Sequence, residues 1–370
     1  MNFGFTEEQE LLRAEVRKFL DANAPLETVR GIVESPEGFS RDLWKQIAEL
    51  GWVGLLVPEA HGGAGLGWVD LVVVLEETGR SLFPSPLLSH TLAVDALRHA
   101  GSESQQAAWL PRLADGSAVA TVALLEEDDL PGADGVRLPG EASDEGFVLR
   151  GEKLFVPDAG AADLFVVAFR ADGGVRLALV ERSADGVSAE DWPGIDLTRR
   201  VGRLRLDGVR VGADAVLARG DEAALQRVLD AGATAVAVES VGAAEAALRL
   251  TVDYAKQRVQ FGRPIGQFQG VKHPLAEMFV DVESWKSLAY YAAWCLDERH
   301  PDTSLAASRA KAYASEAFPR LGIDVVQLHG GIGYTWEYDA HLFLKRAKWM
   351  RPAFGDADWH DARIARLTGL

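Results

Sequence analysis

Between Tyr254 and Met278 runs YAKQRVQFGRPIGQFQGVKHPLAEM, a stretch that leaves one helical pattern and enters another. Within it Arg258, Phe261, Gln267 and Gln269 lie close together. Gly262 and Pro264 interrupt the helix, because glycine is conformationally permissive while proline fixes φ and has no N–H. A break of this kind leaves backbone N–H groups and one guanidinium available to an anion. The same residues also describe an ordinary helix–turn–helix with solvated polar groups, and local physics weighs the two readings equally.

The elements that must carry this stretch are long. Ala223 to Gln257 reads as one alanine-rich helix without proline, and Gln269–Glu298 and Ser304–Leu328 read as two more. At the other end of the chain, Thr6 caps a helix with Gln9 three residues on, and Phe5, Leu11, Leu12, Val16 and Leu20 fall on one face. Helices are expected over Trp44–Leu50, Val69–Gly79, Leu87–Ala100 and Ser104–Leu113. The glycines of LLVPEAHGGAGLG (55–67) lack the strand–GxGxxG–helix context of a dinucleotide fingerprint. From Ala118 the texture changes to short apolar or alternating runs such as FVLRGEKLFVP and DLFVVAFR, punctuated by Gly, Asp and Pro. Their regular spacing argues for a small antiparallel barrel or sandwich of roughly 95 residues. The expected order is therefore α+β: an N-terminal helical domain (1–117), a middle antiparallel β domain (118–219) and a C-terminal helical bundle (220–370).

Composition narrows the function classes. The formal charge is −17, from 38 basic and 55 acidic side chains, which argues against a nucleic-acid footprint. A single cysteine, Cys295, excludes an internal disulfide framework and suits a reducing compartment. No run approaches the ~20 apolar residues of a membrane span, and the acidic amphipathic start is unlike a signal peptide. A soluble cytoplasmic protein is expected.

The helical–β–helical order and two C-terminal motifs resemble the acyl-CoA dehydrogenase family over essentially the whole chain. RVQFGRPIGQFQ (258–269) is similar to the family segment in which Arg, Phe and Gln contact FAD, and QLHGGIGY (327–334) to the segment whose Gln and Gly-Gly lie along the cofactor of a neighbouring subunit. The resemblance implies FAD contacts at Arg258, Gln260, Phe261, Ile265, Phe268, Gln269, Gln327, Gly330 and Gly331. It implies a four-helix C-terminal bundle, an acyl-CoA substrate, electrons passed to an electron-transfer flavoprotein, and a homo- or hetero-oligomer. The chemistry of the residues agrees. A diphosphate favours the Arg258 fork, adjacent glycines let a backbone approach without a Cβ clash, and the glutamines donate and accept at cofactor edges.

The chain departs from the family where the chemistry is done. The family's glutamate base follows the Gly-Gly motif in a Tyr-Glu-Gly-Thr stretch, and gap-free counting puts Phe354 at that place. Some members carry the base on the long helix, at a position that is Gly232 here. Glu239 lies two turns further along nearly the same face, in the apolar AVAVESVGAA, where a lone carboxylate has the raised pKa that a general base requires. Two turns is ~11 Å, more than a glutamate side chain spans. Either a bulky acyl group sits deeper and Glu239 is the base, or Glu239 is a buried, paired structural residue. In the β region, Leu125 replaces the family Thr while Glu126 is retained; Phe155 stands for Trp, and Pro157 for the Thr that hydrogen-bonds flavin N5.

Two readings follow: an acyl-CoA dehydrogenase with Glu239 as base, acting on a bulky or steroid-like acyl group, or a non-catalytic partner that completes FAD sites on a homologous subunit. Actinobacterial steroid side-chain dehydrogenases, heteromers of one competent and one divergent chain, are similar to the second. A flavin-dependent oxidase or oxygenase on the same fold is a weaker third.

Overall fold

Thr6 opens the first helix as its sequence requires: its hydroxyl accepts from the Gln9 N–H while the Gln9 side chain accepts from the Thr6 N–H, a capping box that satisfies two end donors. In this computed structural model, which describes residues 4–370, six helices come first: α1 (Glu7–Asn23), α2 (Leu26–Val33), α3 (Arg41–Glu49), α4 (Trp68–Arg80), α5 (Leu87–Ala100) and α6 (Glu103–Ala114). Ser102 and Gln105 form the same box at α6, and the Ser40 hydroxyl caps α3 by accepting from the Leu43 N–H. Val16 and Leu20 of α1 are buried as expected, but Leu11 is 65% exposed. The apolar stripe of α1 is therefore narrower than its spacing suggested.

Seven strands follow: β1 (Ala120–Ala123), β2 (Gly140–Ser143), β3 (Gly146–Pro157), β4 (Leu164–Ala171), β5 (Gly174–Glu181), β6 (Val187–Trp192) and β7 (Val201–Gly212). They form two sheets, ordered β1-β4-β5 and β2-β3-β7-β6. The second sheet is antiparallel, but β1 pairs parallel with β4, so the region is mixed rather than wholly antiparallel as the alternation implied. Phe165, Val167 and Phe169 of β4, and Leu204, Leu206 and Val209 of β7, share one core cluster.

The remainder is helical: α7 (Glu222–Gln257), a two-residue hairpin of β8 (Val259–Gln260) and β9 (Arg263–Pro264), then α8 (Gln269–Glu298), α9 (Thr303–His329), α10 (Ala340–Met350) and α11 (Ala357–Thr368). By contacts the chain divides into two compact units. One takes the chain up to Gly31 together with Trp68–Phe83 and Ala233–Leu370; the other takes Ile32–Gly67 and Pro84–Gly232. In the first unit α8, α10 and α11 pack on α9, and α4 packs on α1 and α8.

Two glycines let α4 and α7 come together in that unit. A Cβ on Gly79 would overlap the Glu239 carbonyl, and one on Gly242 would overlap the Glu76 carbonyl, so the backbones touch where side chains would otherwise separate them. The acidic pair Glu76 and Glu77, at the end of α4, is buried rather than solvated. Arg13, Arg17, Arg80 and Lys286 form ion pairs with it, and the Tyr290 hydroxyl donates to Glu76. No helix among the described residues is long and apolar enough to cross a membrane. Cys295 is buried and unbridged.

Candidate functional site

The Arg258 stretch is a hairpin rather than a plain turn. The Arg258 N–H closes α7 on the Tyr254 carbonyl at 2.8 Å, and the Ile265 N–H returns to the Arg258 carbonyl at 2.8 Å. At the tip Phe261 and Gly262 take φ of +54° and +78°. Glycine adopts that conformation freely; a phenylalanine there is costly and persists only where its surroundings hold it. Phe261 is 92% exposed, with its ring edge-on to Phe268 at 6.1 Å, and the Arg263 guanidinium lies 4.1 Å over the Phe268 ring.

Arg258, Gln260, Gln269 and Gln327 are exposed, and Ile265 and Phe268 half-buried. Among the described residues nothing is hydrogen-bonded or ion-paired to the Arg258 guanidinium. At Gly330 and Gly331 a Cβ would meet nothing within 4 Å. Those backbones therefore face open space. A fork-shaped cation without a partner and a side-chain-free backbone fit the diphosphate and adenosine portion of a dinucleotide.

Tyr254 joins the two motifs. Its ring lies 4.5 Å from the His329 ring, and its hydroxyl donates to the His329 carbonyl at 3.3 Å, one residue before Gly330. His329 Nδ1 lies 2.7 Å from the Val325 carbonyl, which assigns the proton to that nitrogen. The sequence signal was available, since Tyr254 stands one helical turn before Arg258, but nothing in the sequence pairs it with His329.

The positions that the resemblance assigns to the chemistry look different. Phe354, which gap-free counting puts at the place of the family base, is 8% exposed with φ +57°. A pedestal beneath it fixes the segment. Lys311 donates to Ser315 Oγ at 2.6 Å and to the carbonyls of Arg351 and Gly355 at 2.9 and 2.8 Å, and His360 Nε2 lies 3.0 Å from the Phe354 carbonyl. Burial pushes the Lys311 ammonium down to about 7 despite Asp356, and burial together with Lys311 and Arg363 pushes His360 to about 3. Neither residue stands in a motif that marks it in the sequence.

In the other unit, Pro157 ends β3, and its carbonyl accepts from the Thr121 hydroxyl at 2.6 Å. It offers no N–H. The retained Glu126 faces Lys153: Oε1 accepts from Lys153 Nζ at 2.6 Å and from the N–H groups of Arg137 and Leu138, both at 2.9 Å. Burial opposes the Glu126 charge, but Lys153 and these N–H groups outweigh it and hold the carboxyl below its ordinary value. Glu126 is thus the clasp of the 124–138 loop. Leu125 bridges to Leu154, and Phe155 (φ +52°) sets its ring edge-on to Trp192 at 6.0 Å.

Glu239 is not the lone carboxylate that its apolar neighbours implied. It is 2% exposed, its backbone lies under Gly79, and its Oε2 is 3.5 Å from Nη1 of Arg346, itself buried, on α10. Spacing along α7 carries no information about α10, so Arg346 was invisible in the sequence.

The comparisons with known proteins meet this geometry. Residues 6–117 match the family model "Acyl-CoA dehydrogenase, N-terminal domain" and residues 218–368 match "Acyl-CoA dehydrogenase, C-terminal domain". A relative described as acyl-CoA dehydrogenase IpdE2, of Mycolicibacterium smegmatis, is 36% identical over 343 residues, 92% of this chain and 93% of the relative. The chain belongs to the acyl-CoA dehydrogenase family. Members of this family are oxidoreductases acting on the CH–CH bond of an acyl-CoA. Among solved structures, the chain is similar to one in the ChsE4-ChsE5 complex from Mycobacterium tuberculosis, with a TM-score of 0.92, 29% identity, and 100% and 99% of the two chains covered. It is also similar to a chain of a variant of the Tcur3481-Tcur3483 steroid ACAD, with a TM-score of 0.89, 32% identity and 98% of each chain covered. Within this acyl-CoA dehydrogenase family chain, the Arg258 hairpin and the Gly330–Gly331 turn fit the diphosphate and adenosine of FAD, while Phe354 offers no carboxylate and Pro157 no N–H.

Proposed function

We propose that this chain is the half-site-donating subunit of a heteromeric, FAD-dependent acyl-CoA dehydrogenase that desaturates a bulky, steroid-like acyl-CoA and passes electrons to an electron-transfer flavoprotein. The observation that carries the reading is a contrast within one chain. Arg258 is exposed and unpartnered and Gly330 and Gly331 face open space, while Phe354, at the position that the resemblance gives to the base, sits in a buried, clamped segment. Two similar structures, one described as a two-protein complex and one as a steroid enzyme of two named components, are the reason for preferring a heteromer and a steroid-like acyl group.

On this reading the chain's own residues bind and orient. Arg258 neutralises part of the diphosphate charge through a fork of N–H donors. Gly330 and Gly331 admit the adenosine to van der Waals distance of the backbone. Gln269 and Gln327 donate to and accept from its edges. The flavin, when bound, supplies the hydride acceptor for the acyl β-carbon, and the homologous subunit supplies the base that removes the α proton. Glu239, held by Arg346, has a structural part.

The test is the visible spectrum of the purified chain, alone and co-expressed with a homologous subunit encoded beside it. A nearly colourless single chain and a yellow, acyl-CoA-oxidising complex that reduces an electron-transfer flavoprotein are the expected result. A flavin-loaded homo-oligomer that turns over acyl-CoA would overturn the heteromer, and stoichiometric peroxide in place of electron transfer would move the activity to an oxidase.

A further inference from the structure

The two motifs of the half-site are carried by different elements, and something must set the distance between them. Arg258 hangs on the last turn of α7, and Gly330–Gly331 follow the last turn of α9. Helix ends fray unless they are tied, and each of these leaves terminal carbonyls to satisfy.

The tie is an aromatic cluster. The His329 ring, 3% exposed, lies 4.5 Å from Tyr254 and 4.9 Å from Tyr338, and Tyr254 and Tyr338 meet edge-on at 6.3 Å. The Tyr254 hydroxyl donates to the His329 carbonyl at 3.3 Å, and the His329 Nδ1–H donates to the Val325 carbonyl at 2.7 Å. The first bond occupies the terminal carbonyl of α9, and the second holds the His329 ring against the turn before it. The third ring is anchored independently, since Arg30 donates to the Tyr338 carbonyl at 3.2 Å and pairs with Asp339 at 2.8 Å. Burial pushes the His329 imidazole below its ordinary value, which favours the neutral ring, and the Val325 carbonyl fixes its proton on Nδ1. Beyond the cluster Gly330 turns through φ +64°, with open space where a side chain would stand.

We infer that Tyr254 and His329 are positioning residues for the dinucleotide: they lock the end of α7 to the end of α9, and so fix the Arg258 guanidinium relative to the Gly330–Gly331 backbone that a diphosphate-linked adenosine would meet. The inference rests on the half-site reading above and adds the device that gives the half-site its affinity. Neither residue touches the ligand. A rigid pair of contacts binds a dinucleotide more tightly than two mobile ones, because less freedom is lost on binding.

The experiment uses the full chain in its complex with the homologous subunit, stripped of flavin, with FAD as the probe and quenching of flavin fluorescence as the readout, in the cold. Tyr254→Phe keeps the ring and removes the hydroxyl; the FAD dissociation constant is expected to rise about five- to tenfold, the scale of one neutral hydrogen bond. Tyr254→Leu removes the ring as well and is expected to do more. Tyr313→Phe deletes a comparable hydroxyl, which donates to Asp281 at 2.9 Å between α9 and α8; it is expected to leave FAD affinity unchanged, and the KM for acyl-CoA is expected to stay constant in all three. A Tyr254→Phe constant within about twofold of the unaltered chain, while Arg258→Ala weakens FAD, overturns the positioning role and leaves the half-site standing. Equal weakening by Tyr313→Phe and Tyr254→Phe overturns it too, since that is general loosening. If Arg258→Ala itself changes nothing, the half-site fails and the positioning role falls with it.

Discussion

The Glu239 carboxylate lies 3.5 Å from the Arg346 guanidinium, and both side chains are almost fully buried in the bundle. Breaking a buried pair from one side typically costs about 3–5 kcal/mol, because the remaining charge loses its partner. Glu239→Gln is therefore expected to lower the thermal midpoint of the complex while turnover per bound flavin stays at the unaltered value. Thermal melts and single-turnover flavin reduction, run on the same sample, decide it. A variant with normal stability and a turnover reduced by orders of magnitude would make Glu239 the base.

Arg258 offers a planar fork, and lysine would offer only a point charge. Arg258→Ala is expected to weaken FAD by about tenfold or more, in line with hydrogen bonds to a charged group. Arg258→Lys should recover part of that loss at low salt and less of it as salt screens the exposed charge. Equilibrium FAD binding at two ionic strengths reads this directly, and full recovery by lysine would contradict a bidentate role.

Phe354→Glu returns a carboxylate to the family's base position, yet the chain alone is expected to remain inactive. Pro157 still lacks a donor, and its carbonyl is still held by Thr121. The buried site is also expected to lower the melting temperature, since a carboxylate there loses solvation. Anaerobic flavin bleaching on adding acyl-CoA to the single chain would refute this.

Lys311 makes stability depend on alkaline pH. Burial brings its pKa to about 7 in the folded chain, against an ordinary 10.5. Between those values the unfolded chain binds a proton that the folded chain does not, so stability from this group rises with pH across the window and is level below it. Compared with Lys311→Met, the unaltered chain should therefore gain stability from pH 7 towards 10.5. Denaturant midpoints for both proteins across that range provide the check; parallel curves would show that Lys311 keeps its ordinary proton affinity.

Much of this protein was written locally. The ends of α5 and α8 fall where the apolar period puts them, with Gly101 closing α5, and the Thr6–Gln9 box forms because its four residues need no other part of the chain. The Arg258 and Gly330 motifs were legible for the same reason: a guanidinium beside a helix break and a pair of glycines are chemical statements within a few residues. What remained hidden is pairing across the sequence. Leu11 looked buried because a helical period gives a face but not what covers it, and the β region looked antiparallel because alternation does not name a strand's neighbour. Glu239 looked lone until Arg346 came to it from α10. Nothing local to Tyr254 names His329, whose ring meets it 4.5 Å away. Residue types and local spacing determine which groups can do chemistry, but charge pairing and desolvation act through space, and so only the tertiary fold decided which of those groups are open to a ligand and which are already satisfied.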